Sequence, residues 1–206
     1  MIQVSVILVQ NSLVSKRYLE TIKALDGKLY HLEYHQERLN TTLQTNKTHN
    51  LSTLLDPPKD GLYRCRVLYD ADSIEIEYIP YIKRHIRSLK LLTSETLEYA
   101  RKYEDREDLN RLFEKREGCD DILVVKNALV SDTSIANIAF YDGERWVTPK
   151  TPLLYGTTRK RYLETGKIVE KEITVLELKS YKKVALMNAM IDFDIIAEEN
   201  IGDIIC

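Results

Sequence analysis

Residues Glu98–Phe140, EYARKYEDREDLNRLFEKREGCDDILVVKNALVSDTSIANIAF, decide how the chain is read. The opening part is charged and reads as helical, and it carries Lys102 within KYEDR. Ile122-Leu-Val-Val125 follows as an apolar run of strand length, which reads as buried. After a short turn comes Ser131-Asp-Thr-Ser-Ile-Ala-Asn137, small and polar, leading into Ile138-Ala-Phe140. Hydroxyl and amide side chains beside one acid are costly to bury between apolar strands unless they hold something. The rest of the chain reads as a pocket built around this stretch.

Working outward, 206 residues are enough to bury a real core in one large domain or two small ones. Thirty basic residues against 32 acidic ones, a net charge of −2, argue against a nucleic-acid or anionic-membrane protein. A hydrophobic content of 44% with seven Gly and five Pro speaks for an ordered globular chain. Met1–Val9 is apolar but short, lacks a basic leader and alternates like a strand, so it is not read as a signal peptide. No run approaches the roughly 18 apolar residues of a spanning helix. Cys65, Cys119 and Cys206 form no CxxC or zinc pattern, read as buried or incidental thiols, and fit a reducing cytoplasm. No metal site is expected.

Tyr18–Leu25 reads as a strand, although Glu20 interrupts the face that Tyr18, Ile22 and Ala24 would share. Asp26-Gly27 is a hairpin turn, and Lys28–Leu32 is a return strand or the entry to a helix. Leu32–Gln44 reads as that helix, with Leu32, His35, Leu39 and Leu43 near one face. His35 and Arg38 share a side of it, which taken alone fits surface charge beside a satisfied histidine. After the loop Asp56–Gly61, Leu62–Tyr69 and Ser73–Ile79 form a second hairpin with period-two patterning. Arg64 and Arg66 point to one face of their strand; such a face could bind a carboxylate substrate, and a solvated face is the other reading. Tyr78–Leu92 is basic, and the crossover between two small α/β lobes falls near residues 84–94, giving lobes of 1–90 and 91–206. Later come a turn near Phe140–Gly143, a helix Thr158–Glu164, a strand Ile168–Ile173, a short helix from Thr174 and a final strand Val184–Met187. Beyond Asp192 the chain reads as trimmed.

The order KxxDR, DDILVVKNALVSDTSIANIAF, WVTPKTPLLYGTTR and LMNAM resembles the class IV pyridoxal-phosphate enzymes. These include branched-chain and D-amino-acid aminotransferases and aminodeoxychorismate lyase. The resemblance runs from Tyr18-Leu-Glu-Thr-Ile to Met190. It implies an α+β (α/β) chain of two lobes with pyridoxal 5'-phosphate in a pocket between them. Lys102 matches the family's cofactor-bearing lysine, since it precedes Asp105-Arg106 as that lysine precedes an Asn-Arg or Asn-Tyr pair. Asp132 stands where the family has a glutamate against the ring nitrogen, one methylene shorter, with Asn137 matching the asparagine that follows.

Arg38 matches the arginine of the family's HxxRL pattern, whose forked donors suit a phosphate. Gly156-Thr-Thr-Arg159 resembles the phosphate cup, with Thr157 and Thr158 as ligands at a helix start. Asn188-Ala189 resembles the segment facing cofactor or substrate. Asp105-Arg106 and Asn188-Ala189 favour a 4-amino-4-deoxychorismate lyase. A class IV aminotransferase acting on branched-chain or D-amino acids is the alternative, and a non-catalytic cofactor-binding protein on the same scaffold is the third. The resemblance further implies a small-molecule substrate, a homodimer, and neither nucleic acid nor membrane as partner.

Overall fold

A computed structural model of the protein describes residues 16–45, 49–197, 201 and 205. The expected strand Met1–Val9 lies outside them. Contacts divide the chain into two units, Met1–Lys83 with Arg101–Asp105, and Arg84–Ala100 with Arg106–Cys206. Mixed sheets and helices make the fold α+β. Among the described residues no helix is long and apolar enough to cross a membrane.

In the first unit, period-two patterning makes β1 (Tyr18–Leu25), whose buried positions are Glu20, Ile22 and Ala24. Asp26 and Gly27 both take positive φ, 47° and 74°, as a two-residue hairpin turn requires. The turn leads to the short β2 (Lys28–Leu29) and then α1 (Leu32–Leu43). His35, Leu39 and Thr42, one face at helical spacing, are the buried residues of α1. Asn50 caps the single turn α2 (Leu51–Leu54), accepting the Ser52 amide at 3.0 Å. β3 (Leu62–Tyr69) and β4 (Ile74–Pro80) complete an antiparallel sheet in the order β2-β1-β3-β4. The core lies between this sheet and α1, from Ile22, Leu39, Leu51, Cys65, Val67 and Tyr69. Cys65 is a free, buried thiol that burial pushes up to about 12.

The second unit holds β5 (Leu89–Thr93), α3 (Glu107–Phe113), β6 (Asp121–Lys126) and β7 (Leu129–Thr133). Asp120 pins the entry to β5 and β6 by accepting the Arg87 and Ser88 amides at 2.7 and 3.1 Å. β6 has five buried residues in succession, as a strand covered on both faces should, and it runs parallel to β5. Next come β8 (Asn137–Tyr141), β9 (Trp146–Pro149), α4 (Thr157–Glu164), β10 (Ile168–Lys171), β11 (Lys183–Asn188) and β12 (Asp192–Ala197). Their sheet has the order β10-β9-β8-β11-β12. One core of Leu89, Leu123, Ile138, Phe140, Val184 and Leu186 joins both sheets of this unit. The expected short helix at Thr174 is a 3-10 turn, Val175–Ser180, opened by a capping box between Thr174 and Glu177.

Three expectations change. The Val184–Met187 strand is not the last, because β12 pairs with it through five residues on each side. The segment around Lys102 is not helical. Its backbone groups go to the end of β1 that β2 leaves open: Leu19 N–H donates to Lys102 O at 2.8 Å and Glu104 N–H to Arg17 O at 3.0 Å. Helix forms only from Glu107, where Glu107 and Asp108 suit the positive end of α3. Cys119 is disulfide-bonded, against the expectation of three plain thiols.

Candidate functional site

In the first unit the sequence-predicted Arg38 is held by Glu20, which in the sequence reads as an interruption of an apolar strand face. Glu20 sits on the core face of β1 with no solvent exposure. Its Oε1 accepts from Arg38 Nε at 2.7 Å and its Oε2 from Arg38 Nη2 at 2.5 Å. This is the two-pronged geometry that makes a guanidinium–carboxylate pair strong. His35, one turn before Arg38 on α1, places Nδ1 2.6 Å from the same Oε2.

Burial alone would push the Glu20 carboxyl up. The Arg38 charge and the hydrogen bonds from His35 and Arg38 outweigh it and bring it down to about 2. Burial pushes His35 the other way, below its usual value, against the pull of Glu20. A neutral His35 beside an ionised carboxylate must donate its Nδ1 proton, which fixes the tautomer. The charge of Lys102 also reaches His35 and helps to lower it. Lys102 itself is half-buried, on the extended segment held against Leu19. Tyr103, the next residue, stacks at 5.6 Å on Tyr18.

Arg64 and Arg66 lie on the other face of the same sheet, since Val67 is the residue opposite Glu20 and Arg66 is opposite Thr21. Arg66 is shared loosely between Glu77 and Glu104, at 3.7 Å each. Arg64 Nε is buried without a hydrogen-bond partner among the described residues.

The second unit brings together Asp132, Asn137, Thr157 and Thr158. Asp132 lies in β7, and it is 4% exposed. Its Oδ1 accepts from Asn137 Nδ2 at 2.9 Å and its Oδ2 from the Leu154 amide at 3.0 Å. Asn137 also donates to Leu154 O at 2.8 Å. The acid is thereby tied to the loop that opens α4. Burial raises the Asp132 carboxyl to about 6, and the hydrogen bonds from Leu154, Asn137 and Leu153 together with the charge of Arg159 oppose it without outweighing it.

Gly156 precedes α4, and a Cβ there would come 2.0 Å from Asn137 Oδ1, so this contact needs glycine. Thr157 and Thr158 are buried in the first turn of α4, where amides have no intrahelical acceptor. Gly156 supplies no side-chain cap. These donors, two hydroxyls and the N-terminal dipole suit an anion.

Asn188 ends β11, donating to Ile135 O at 3.2 Å and accepting the Met190 and Ile191 amides at 2.9 and 3.1 Å. It shapes the β11–β12 turn, in which Ala189 lies half-buried. Sequence reading missed Glu20, although a carboxylate on an apolar strand face ahead of an HxxR helix was a readable sign. It also missed Asp121, fully buried in β6, whose Oδ1 accepts the Ile122 and Ser134 amides at 2.8 and 3.3 Å. Asp121 thereby holds the polar turn between β7 and β8.

Each unit by itself carries groups of the kind that pyridoxal 5'-phosphate takes up: a primary amine at Lys102 and a guanidinium at Arg38 in the first, a buried acid at Asp132 and anion donors at the start of α4 in the second. The pattern of the amino-transferase class IV family matches residues 105–197. An uncharacterised protein of Haemophilus influenzae is 36% identical over 180 residues, covering 83% of this chain and 96% of that one.

The solved structure of a candidate 4-amino-4-deoxychorismate lyase from Haemophilus somnus is 31% identical. It superposes with a TM-score of 0.79 over 87% of this chain and 98% of its own. A hypothetical aminotransferase of Mycobacterium tuberculosis in its PLP-bound form shares the fold, with TM-score 0.68 and 15% identity over 88% of this chain and 80% of that one. Fold and residue order together define an enzyme of the class IV kind. The chain belongs to the class IV aminotransferase family.

Proposed function

We propose that this protein is a pyridoxal 5'-phosphate-dependent 4-amino-4-deoxychorismate lyase, releasing pyruvate and the 4-aminobenzoate used for folate. The observation that supports it best is the 31% identity, across 98% of its length, to the Haemophilus somnus protein described as a candidate for that activity. When bound, the cofactor supplies an electron sink that lets a proton leave the carbon bearing the substrate nitrogen.

Lys102 would hold the cofactor through Nζ, and the same amine would move that proton as general base and acid. Asp132 would be the acid for the ring nitrogen, with Asn137 steadying the carboxylate. Arg38, Thr157 and Thr158 take the phosphate. Asn188 and Ala189 border the substrate, and Arg64 and Arg66 are its carboxylate contacts. The protein acts as a cytoplasmic homodimer on a small-molecule substrate.

The alternative, an aminotransferase acting on branched-chain or D-amino acids, uses the same cofactor contacts and is kept open by the likeness to the Mycobacterium tuberculosis protein. Two measurements test the assignment. Borohydride should fix the cofactor on Lys102, and Lys102→Ala should abolish the label; a label on Lys90 or Lys115 overturns it. Aminodeoxychorismate alone should give continuous pyruvate and 4-aminobenzoate. A single half-turnover with leucine, glutamate or D-alanine, renewed only by 2-oxoglutarate, would replace the lyase with the aminotransferase.

A further inference from the structure

The dipeptide Leu19–Glu20 of β1 touches both first-unit groups assigned to the cofactor. The Leu19 amide holds the backbone of Lys102 at 2.8 Å, and the Glu20 carboxylate holds the guanidinium of Arg38 through Nε and Nη2. Leu19 and Glu20 are adjacent on a strand whose whole length is paired to β3, so neither can shift without the other. His35 closes the arrangement, since its Nδ1–H and the Arg38 Nη2–H converge on Oε2 and fix the plane of the carboxylate.

A flexible arginine loses rotamer freedom when it takes a phosphate, and an arginine already locked has less to lose. We infer that Glu20 is a positioning residue of the cofactor site, holding the Arg38 guanidinium in register with Lys102 so that phosphate recognition depends on a carboxylate acting through another side chain. This rests on the proposed role of Arg38. It adds that the reach from amine to phosphate anchor is set by one rigid strand rather than by α1 alone.

The test compares pyridoxal 5'-phosphate with pyridoxal, which lacks the phosphate, as ligands of the full-length apoprotein. Dissociation constants are measured by absorbance titration for wild type, Glu20→Gln, Arg38→Ala and the double variant. Glu20→Gln should weaken the phosphorylated ligand about tenfold, the scale of one charge-assisted hydrogen bond, and leave pyridoxal within about twofold. In the Arg38→Ala background Glu20→Gln should add nothing, because its effect passes through the guanidinium.

Equal weakening of both ligands by Glu20→Gln, or weakening of neither, overturns the positioning role. If Arg38→Ala itself fails to distinguish the two ligands, the phosphate role of Arg38 falls instead. Should Glu20→Gln not fold by circular dichroism, His35→Gln replaces it. That variant should show the same selective loss at about threefold, the smaller effect expected of a neutral hydrogen bond, and an unselective loss overturns the proposal.

Discussion

Glu20 in the first unit and Asp132 in the second are both withdrawn from water, yet their carboxyls settle at opposite ends of the acid range, about 2 and about 6. Burial pushes both upward, so it does not make the difference. The partners do. Glu20 faces a guanidinium that forks onto it, whereas Asp132 receives hydrogen bonds from an amide side chain and a backbone amide, which carry no net charge. Glu20 is fixed as an anion and serves as a strut. Asp132 is left with a protonation state that a charge arriving beside it can change, as a protonated ring nitrogen would. The same residue chemistry thus gives a structural acid in one unit and a responsive acid in the other.

The strongest way to break the contrast is to remove the strut. Glu20→Ala leaves the Arg38 guanidinium, whose side chain is 16% exposed, without its anion. Breaking a buried pair by deleting one partner costs about 3–5 kcal/mol. Urea denaturation at pH 7 should show a loss of that size. A loss below about 1 kcal/mol would mean that Arg38 relaxes into water and that Glu20 is no strut.

A change of pH should separate the two acids next. Glu20 is depressed from 4.5 to about 2, so its contribution is complete above pH 4.5 and disappears as pH falls through 2. Asp132 is raised from 3.8 to about 6, so its contribution is complete below pH 3.8 and disappears as pH rises through 6. Each shift corresponds to about 3 kcal/mol at most. The apoprotein's stability between pH 4 and 6 should therefore carry a component that falls with rising pH, and Asp132→Asn should remove it. Below pH 4.5 the slope reverses sign, and Glu20→Gln should flatten that limb. If Asp132→Asn leaves the interval between pH 4 and 6 unaltered, the Asp132 carboxyl is not raised and the contrast fails.

Much of this arrangement was legible beforehand. The apolar run of β6 and the spacing of His35 and Leu39 on α1 placed themselves, because burial leaves periodic traces in sequence. Lys102, Asp132 and the Thr157–Thr158 turn were picked out by their resemblance to the family's motifs, and their roles are proposals. Glu20 was not, because a charge on an apolar strand face counts against the strand when only neighbours are considered. What compensates it lies 15 and 18 residues further on, at His35 and Arg38. The conformation around Lys102 was misread for a related reason. A charged segment with few apolar residues carries no period of its own, and its backbone partners lie on β1, far back in the chain. β12 escaped because Asp192 and Asp194 break its apolar face. Its pairing with β11 supplies what its composition does not.

The smallest effect sharpens the comparison from outside the core. Arg66 carries the same charge as Arg38, but its side chain is 32% exposed and its two glutamates, Glu77 and Glu104, are 35% and 36% exposed at 3.7 Å each. Pairs of this kind contribute roughly 0–1 kcal/mol, because water screens the attraction and long side chains lose freedom in making it. Arg66→Ala should therefore change stability by less than about 1 kcal/mol, and raising the salt should shrink that difference further, since screening at about 1 M acts within about 3 Å. An arginine that holds little of the fold is free to serve recognition. If the substrate's carboxylate lands on this face, Arg66→Ala should raise KM about tenfold, the scale of one lost charge-assisted bond, while stability stays put. An unaltered KM would mark the face as solvated and would leave Arg64, whose Nε has no hydrogen-bond partner among the described residues, as the remaining guanidinium to test there.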